Sequence, residues 1–288
     1  MSPRRTPAMV AVLVVAMVTA CSGGNPVAAT GTRSDGVEHI HGLGVDPADG
    51  VLYAATHTGL FRVPEKGSAA RVADRRQDTM GFTVTGPNTF LGSGHPDHAK
   101  DPDLDPQLGL IRSTDAAESW RTVSLAGQTD FHVLHAAHGD VYGWDSGTGR
   151  LMVSADDGRT WEVRSVLDLR DFAPSPDRPG TLLATTGTGL VRSVDGGRRW
   201  QPVPDTPPLV VLTWGGAGSL FGLAPDGTVH RSADGGRTWV VRGTTGGRPE
   251  AMTVGRRAGA ATLYAAVAGR GIVASADDGA TFTTRYAE

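Results

Sequence analysis

The stretch Ser154-Ala-Asp-Asp-Gly-Arg-Thr-Trp161 decides the fold, because the chain repeats it. The matching segments are Ser193-Val-Asp-Gly-Gly-Arg-Arg-Trp200, Ser232-Ala-Asp-Gly-Gly-Arg-Thr-Trp239, Ser275-Ala-Asp-Asp-Gly-Ala-Thr-Phe282 and Ser113-Thr-Asp-Ala-Ala-Glu-Ser-Trp120, of which the last has lost its glycine. Successive first serines lie 41, 39, 39 and 43 residues apart. Self-similarity at a period of about forty residues predicts a repeat architecture.

The aspartates of these segments share one local chemistry. An Asp side chain in a tight turn accepts hydrogen bonds from backbone N–H groups of that turn. The glycine supplies the positive φ that such a turn requires. We therefore predict a structural role, and no catalytic one, for Asp115, Asp156, Asp195, Asp234 and Asp277.

Short apolar segments around each box complete the repeat. One example is Leu182-Leu-Ala-Thr185 followed by Gly189-Leu-Val-Arg192, and six such units can be counted. Each unit reads as four antiparallel strands, A to D, with the box at the turn between strands C and D. Radial packing of such sheets buries both of their faces. The sequence predicts an all-β fold, a six-bladed β-propeller over residues 36–288, and no residues remain for a seventh blade.

The segments resemble the Asp-box, or BNR, repeat of sialidases, sortilin-type receptors and photosystem-assembly propellers. Over most of its length the chain is similar to bacterial BNR-repeat lipoproteins that are labelled glycosyl hydrolase-like. This resemblance includes His39-Ile-His-Gly42, Ala55-Thr-His57 and Gly92-Ser-Gly-His-Pro96. It implies the propeller fold, whereas the enzymatic label transfers poorly, since Asp boxes also occur in propellers without catalytic activity.

The first twenty residues predict export. Arg4 and Arg5 precede an apolar run of thirteen residues, 8–20, which is too short to span a bilayer but suits a secretory signal. The run ends Val18-Thr-Ala-Cys21, which resembles a bacterial lipobox; the alternative is an ordinary signal peptide. We expect a lipid on Cys21, a flexible tether over residues 21–35 and anchoring to the outer face of the cell membrane.

Composition restricts the partners. The chain has 27 Lys and Arg residues against 30 Asp and Glu, so it lacks the basic excess that nucleic-acid binding requires. Its single cysteine excludes an internal disulfide framework and a cysteine-based zinc site. A protein, a glycan or a small molecule stays open as the ligand.

Eight of the nine histidines lie between His39 and His138. In the predicted propeller, the B–C connections and the starts of the A strands meet at one mouth of the channel. This placement predicts a ligand site formed by His39, His41, His57, His95, Asp97, His98 and His132. We expect His39, His57, His95 and His98 to be able to bind a transition metal such as Zn or Cu, because imidazole and carboxylate suit these ions. The alternative is that they only hydrogen-bond loops. We expect His135 and His138 at the surface of the opposite face.

A catalytic alternative rests on carboxylates at the same mouth. Asp130, Asp171 and Glu250 could serve as acid and base in glycoside hydrolysis. Phe61-Arg-Val-Pro64 is similar to the sialidase motif whose arginine grips the substrate carboxylate, but Arg62 is in register with strand-C arginines away from the channel. The sequence therefore favours a binding or assembly module over a sialidase-like hydrolase.

Overall fold

The computed structural model describes Met1 and residues 36–37, 39–257 and 259–287. The predicted signal, the lipidated Cys21 and the tether lie outside the described residues and stay predictions. Within the described part of the chain, no helix has the length and apolar character needed to cross a membrane.

Six four-stranded antiparallel sheets follow one another along the chain, each with its strands in sequence order. In the first three blades the strands are β1 (Ile40–Val45), β2 (Leu52–Thr56), β3 (Gly59–Val63), β4 (Ala70–Arg71); β5 (Asp78–Gly86), β6 (Thr89–His95), β7 (Leu110–Ser113), β8 (Arg121–Ser124); β9 (Phe131–Ala137), β10 (Asp140–Asp145), β11 (Arg150–Ser154), β12 (Glu162–Val166). In the last three they are β13 (Leu169–Pro174), β14 (Leu182–Thr186), β15 (Gly189–Ser193), β16 (Gln201–Pro202); β17 (Val211–Gly216), β18 (Ser219–Leu223), β19 (Thr228–Ser232), β20 (Val240–Thr244); β21 (Pro249–Arg257), β22 (Ala260–Val267), β23 (Gly271–Ser275), β24 (Thr283–Tyr286). A short 3₁₀ helix, Val72–Asp74, follows β4.

The first strands of the six blades contact one another in a closed cycle, β1–β5–β9–β13–β17–β21–β1. The hydrophobic core is divided into six clusters, and each cluster joins side chains of two neighbouring blades. For example, Tyr142 and Leu151 of the third blade pack with Phe172 and Leu182 of the fourth. The predicted six-bladed propeller is therefore confirmed.

The ring closes between the sixth and first blades without exchange of a strand, since all four strands of each blade come from one continuous segment. Three contacts support the closure. Glu250 Oε2 accepts a hydrogen bond from the Ile40 N–H (3.1 Å), and Arg285 donates to the Val63 carbonyl (2.9 Å). One hydrophobic cluster spans the two blades. The closure thus depends on side chains and their packing.

The box around Asp156 shows how the turns are held. Asp156 Oδ1 accepts the Thr160 N–H (2.8 Å), and its Oδ2 accepts the Thr160 hydroxyl (2.7 Å). The Ser154 hydroxyl accepts the Gly158 N–H (2.8 Å). These donors, first the Thr160 N–H, lower the pKa of Asp156 to about 2. Every bond stays within the turn between β11 and β12, far in sequence from the histidines of the first two blades.

Candidate functional site

A recurring β-bulge aims side chains into the channel mouth. In every blade except the fifth, one residue near the start of the first strand is skipped in the pairing with the second strand. A bulge of this kind re-aims the extra side chain. The skipped residues are His41, Met80, His132, Arg170 and Glu250. All five line a single cavity of about 380 Å³. The repeat therefore gives five different side chains one equivalent place at the mouth.

Three side chains of the first two blades converge beside this cavity, which His41 lines. His41 comes from the bulge of β1, His57 from the turn between β2 and β3, and Asp78 from the start of β5. His57 Nδ1 lies 3.2 Å from His41 Nε2 and 3.0 Å from both carboxylate oxygens of Asp78. His41 Nε2 lies 3.7 Å from Asp78 Oδ1. One atom of each residue thus lies within 4.8 Å of the other two.

Hydrogen bonding alone serves this triad poorly. His57 Nδ1 can carry a single proton, and that proton must serve both the Asp78 carboxylate and His41 Nε2. A cation placed among the three atoms would accept a lone pair from each of them. Ligands at about 2.1 Å from a metal lie about 3.0 to 3.4 Å from one another in octahedral or tetrahedral geometry. The observed separations of 3.0, 3.2 and 3.7 Å are close to that range. The residues therefore fit a metal with two imidazole ligands and one carboxylate.

The surroundings keep the triad accessible and His41 uncharged. The His57 side chain is 46% exposed, whereas that of His41 is 19% exposed. Burial, followed by the neighbouring His57, lowers the pKa of His41 to about 4, so its lone pair is free at neutral pH. The ring of His39 meets that of His57 edge-on at 5.4 Å. His39 adopts a φ of 50°, an uncommon conformation for a residue with a side chain.

A second cluster lies beside the triad. His95 is the cross-strand partner of Asp78. Its Nε2 lies 3.6 Å from Asp130 Oδ2, which is also 2.9 Å from His132 Nε2. Burial alone would raise the pKa of Asp130, but the hydrogen bond and the charge of His132 lower it. The predicted residues His95 and His132 are therefore joined through Asp130, separately from the triad.

The insertion of the second blade is folded onto the first blade. Asp97 is buried and accepts the backbone N–H groups of Arg76 (2.8 Å) and Ala99 (3.2 Å), which lower its pKa against the effect of burial. Asp101 pairs with Arg75. His98 is exposed. The predicted metal set of His39, His57, His95 and His98 thus differs from the observed convergence of His41, His57 and Asp78. Asp78 opens the first strand of the second blade, and nothing in the sequence pairs it with His57.

Two of the predicted catalytic carboxylates connect neighbouring blades. Asp171 accepts the N–H groups of Phe172 (2.8 Å) and of Leu212 in the fifth blade (2.7 Å). Burial raises the pKa of Asp171 to about 7 despite these bonds. Glu250 binds the Ile40 N–H, as described above. Both side chains therefore have a structural partner at the interface that they line.

His135 departs from its expected position. It was predicted at the surface, but it is half-buried, lines the inner channel with Asp171 and meets the Phe172 ring edge-on at 5.1 Å. Arg62 was predicted to lie away from the channel, and in the structure it pairs with Asp49 (2.7 Å) on the first blade. His135 lies within β9, and its side chain lines the channel instead of the outer surface.

No protein-family model matches the sequence, and no curated protein is significantly similar to it. Solved structures do resemble the fold. A gluconolactonase from Xanthomonas campestris matches with 17% identity and a TM-score of 0.63, over 81% of this chain and 84% of the gluconolactonase. YCF48 bound to a D1 peptide matches with 15% identity and a TM-score of 0.53, over 86% and 82% of the two chains.

A GH74 xyloglucanase from Xanthomonas campestris is 16% identical with a TM-score of 0.56 over 86% of this chain, which spans only 45% of that enzyme. At these identities the likeness concerns the fold alone. A hydrolase of glycans, a lactonase and a peptide-bound protein share the architecture, so the propeller does not by itself determine the activity. The chain has the fold of these β-propellers, and its function must be argued from the channel mouth.

Proposed function

We propose that this protein is a binding propeller that holds a transition-metal ion at its channel mouth through His41, His57 and Asp78. The observation that carries the proposal is the convergence of two imidazole nitrogens and a carboxylate around one point. Such a donor set suits Zn²⁺, Cu²⁺, Ni²⁺ or Fe²⁺. Three protein ligands leave at least one coordination position for an external ligand, as binding and catalytic metal sites do.

The proposal includes the location of the protein. A signal sequence ending in Cys21 would export the chain and anchor it by a lipid to the outer face of the cell membrane. A propeller tethered there would present its channel mouth to ligands outside the cell. The matches to proteins of very different activity are consistent with a binding or assembly module.

The alternative function, glycoside hydrolysis, is less well supported. It needs two carboxylates free to act on the substrate. Asp171 accepts two backbone hydrogen bonds, Glu250 accepts one across the ring closure, and Asp130 is buried against His132. The binding function uses none of these groups as a free acid or base.

The test is the metal content of the purified mature chain. The protein should carry a tag without histidines, because a histidine tag binds the same ions. After incubation with each metal and removal of the excess, inductively coupled plasma mass spectrometry should find about one bound metal ion per protein molecule. His57→Ala and Asp78→Asn should each reduce the metal content at least tenfold, a typical result of removing a metal ligand or its close partner.

His98→Ala is the matched control, because His98 is an exposed histidine outside the triad. It should leave the metal content unchanged. Circular dichroism of the metal-free variants should show that they are folded, which the exposure of His57 favours. A wild-type protein without bound metal, or variants that retain it fully, would refute the proposed function.

A further inference from the structure

Arg170 occupies the place in the fourth blade that His41 occupies in the first. Both are the skipped residue of the bulge that opens the first strand. In a ring of six blades, the first and fourth blades are three steps apart and therefore face each other across the channel. His41 and Arg170 also line the same two cavities at the mouth. The metal triad thus has an arginine opposite to it.

The Arg170 side chain is exposed, and its guanidinium forms neither a hydrogen bond nor an ion pair with any residue that the structure describes. The second arginine of the mouth differs, because Arg248 lies 3.7 Å from Glu250, which offsets its charge. A guanidinium group without a partner presents a planar fork of donors that matches a carboxylate. The mouth therefore has an uncompensated positive charge on the fourth blade, the guanidinium of Arg170.

The metal site and Arg170, on opposite sides of the mouth, carry charges of the same sign. A divalent metal held by two imidazole ligands and the Asp78 carboxylate would keep one net positive charge, and Arg170 supplies another. The Asp130 carboxylate is buried and hydrogen-bonded to His132, so it offers little compensation. Between the two poles the cavity wall includes apolar and aromatic surface, such as Trp144. A ligand with an anionic group at each end and a short apolar middle fits this distribution.

We propose that the mouth binds a small dicarboxylate, with one carboxylate on the metal of the triad and the other on Arg170. The inference rests on the proposed metal function and names the ligand class of that site. The cavity of about 380 Å³ lies near the lower end of the volumes of ligand pockets, about 300 to 1,000 Å³, which suits a small molecule.

The test is calorimetric titration of metal-loaded protein with malonate, succinate, glutarate and adipate. The length series matters because only a chain that spans the mouth can reach both poles. Butanoate is the matched probe for succinate, since it has the same carbon chain and one carboxylate. We expect one member of the dicarboxylate series to bind at least tenfold more tightly than its monocarboxylate. Metal analysis after titration should show that the metal remains on the protein.

Arg170→Gln should lower the affinity for the preferred dicarboxylate by about tenfold to a hundredfold, as expected for loss of a charged hydrogen bond. It should leave the metal content and the affinity for butanoate unchanged. Arg121→Gln, on the exposed outer strand β8, is the control and should leave all three quantities unchanged. Removing the metal should reduce dicarboxylate affinity by a similar factor.

Failure of this inference can be distinguished from failure of the proposed function. If the protein binds metal but all probes bind equally to wild type and Arg170→Gln, the dicarboxylate bridge is wrong and the metal site stands. If dicarboxylate binding depends on Arg170 but not on metal, the bridge is also wrong. A protein that holds no metal refutes both.

Discussion

Replacing His135 by glutamine should make the stability of the propeller less sensitive to acid. His135 lines the inner channel and packs edge-on against Phe172. Burial lowers its pKa from 6.5 to about 4. Between pH 4 and pH 6.5, His135 is protonated in the unfolded chain and uncharged in the folded protein. The free energy of unfolding must therefore fall as the pH falls from 6.5 to 4.

The size of the effect follows from the two pKa values. One unit of pKa shift corresponds to about 1.4 kcal/mol, so this shift sets an upper limit of roughly 3.4 kcal/mol at low pH. Between pH 7 and pH 5 the same relation gives about 2 kcal/mol. Because His135 is only half-buried, solvent screens part of its charge, and we therefore expect about 1 to 2 kcal/mol. Asp171 acts in the opposite sense, because a raised pKa stabilises the folded state below 3.8 and loses that effect as the pH rises through 7.

The assay is urea unfolding of wild type and His135→Gln at pH 5 and pH 7, followed by tryptophan fluorescence in the presence of a chelator. Glutamine retains a polar side chain that can donate a hydrogen bond but cannot titrate. Since Asp171 and the other titrating groups remain in both proteins, their contributions cancel in the comparison. The loss of stability from pH 7 to pH 5 should be about 1 to 2 kcal/mol smaller in the variant. An equal loss in both proteins would refute the assignment of a buried, uncharged His135.

Two further predictions concern the scaffold. Gly197→Ala should lower the free energy of unfolding in urea by about 2 to 4 kcal/mol, because φ is 85° and the new Cβ would lie 2.3 Å from Leu151 Cδ2. Gly139→Ala, at a φ of 86° with open space around it, should lower it by only about 1 kcal/mol. Equal losses in the two variants would contradict the packing argument. Glu250→Ala should cost about 1 to 3 kcal/mol and speed amide hydrogen exchange at Ile40, whose N–H loses its carboxylate partner at the ring closure; unchanged exchange at Ile40 would show that this bond does not support the closure.

The fold was predictable because its determinants are local. Ser154, Asp156 and Gly158 satisfy one another within a single turn, so their pattern can be recognised without knowledge of the rest of the molecule. The spacing of the copies then gives the blade length, and the number of copies gives the ring. The ring closure, which includes the bond between Glu250 and Ile40, 210 residues apart, has no local signal in the sequence.

The site was predictable only in part. The topology placed His57 and the histidines of the first strand at one mouth, and in the structure the ring of His57 meets those of His39 and His41. It gave no means of choosing between His98 and Asp78 as their neighbour. That choice depends on how the insertion folds back, where buried Asp97 binds the Arg76 N–H and leaves His98 exposed. Such a contact between distant loops is set by tertiary structure.

The bulges explain why one repeated scaffold can carry an asymmetric site. Each bulge follows the first one or two residues of its strand, so too few residues precede it for a break in the alternation to be recognised in the sequence. Because the blades are held mainly by their turns and by the packing between them, the residue at the skipped position can differ from blade to blade, although Glu250 at this position also supports the ring closure. Identical repeats would present six copies of one side chain. Here the first three blades present His, Met and His, while the fourth presents an unpaired Arg, and this difference creates the two unlike poles that a ligand with two ends requires.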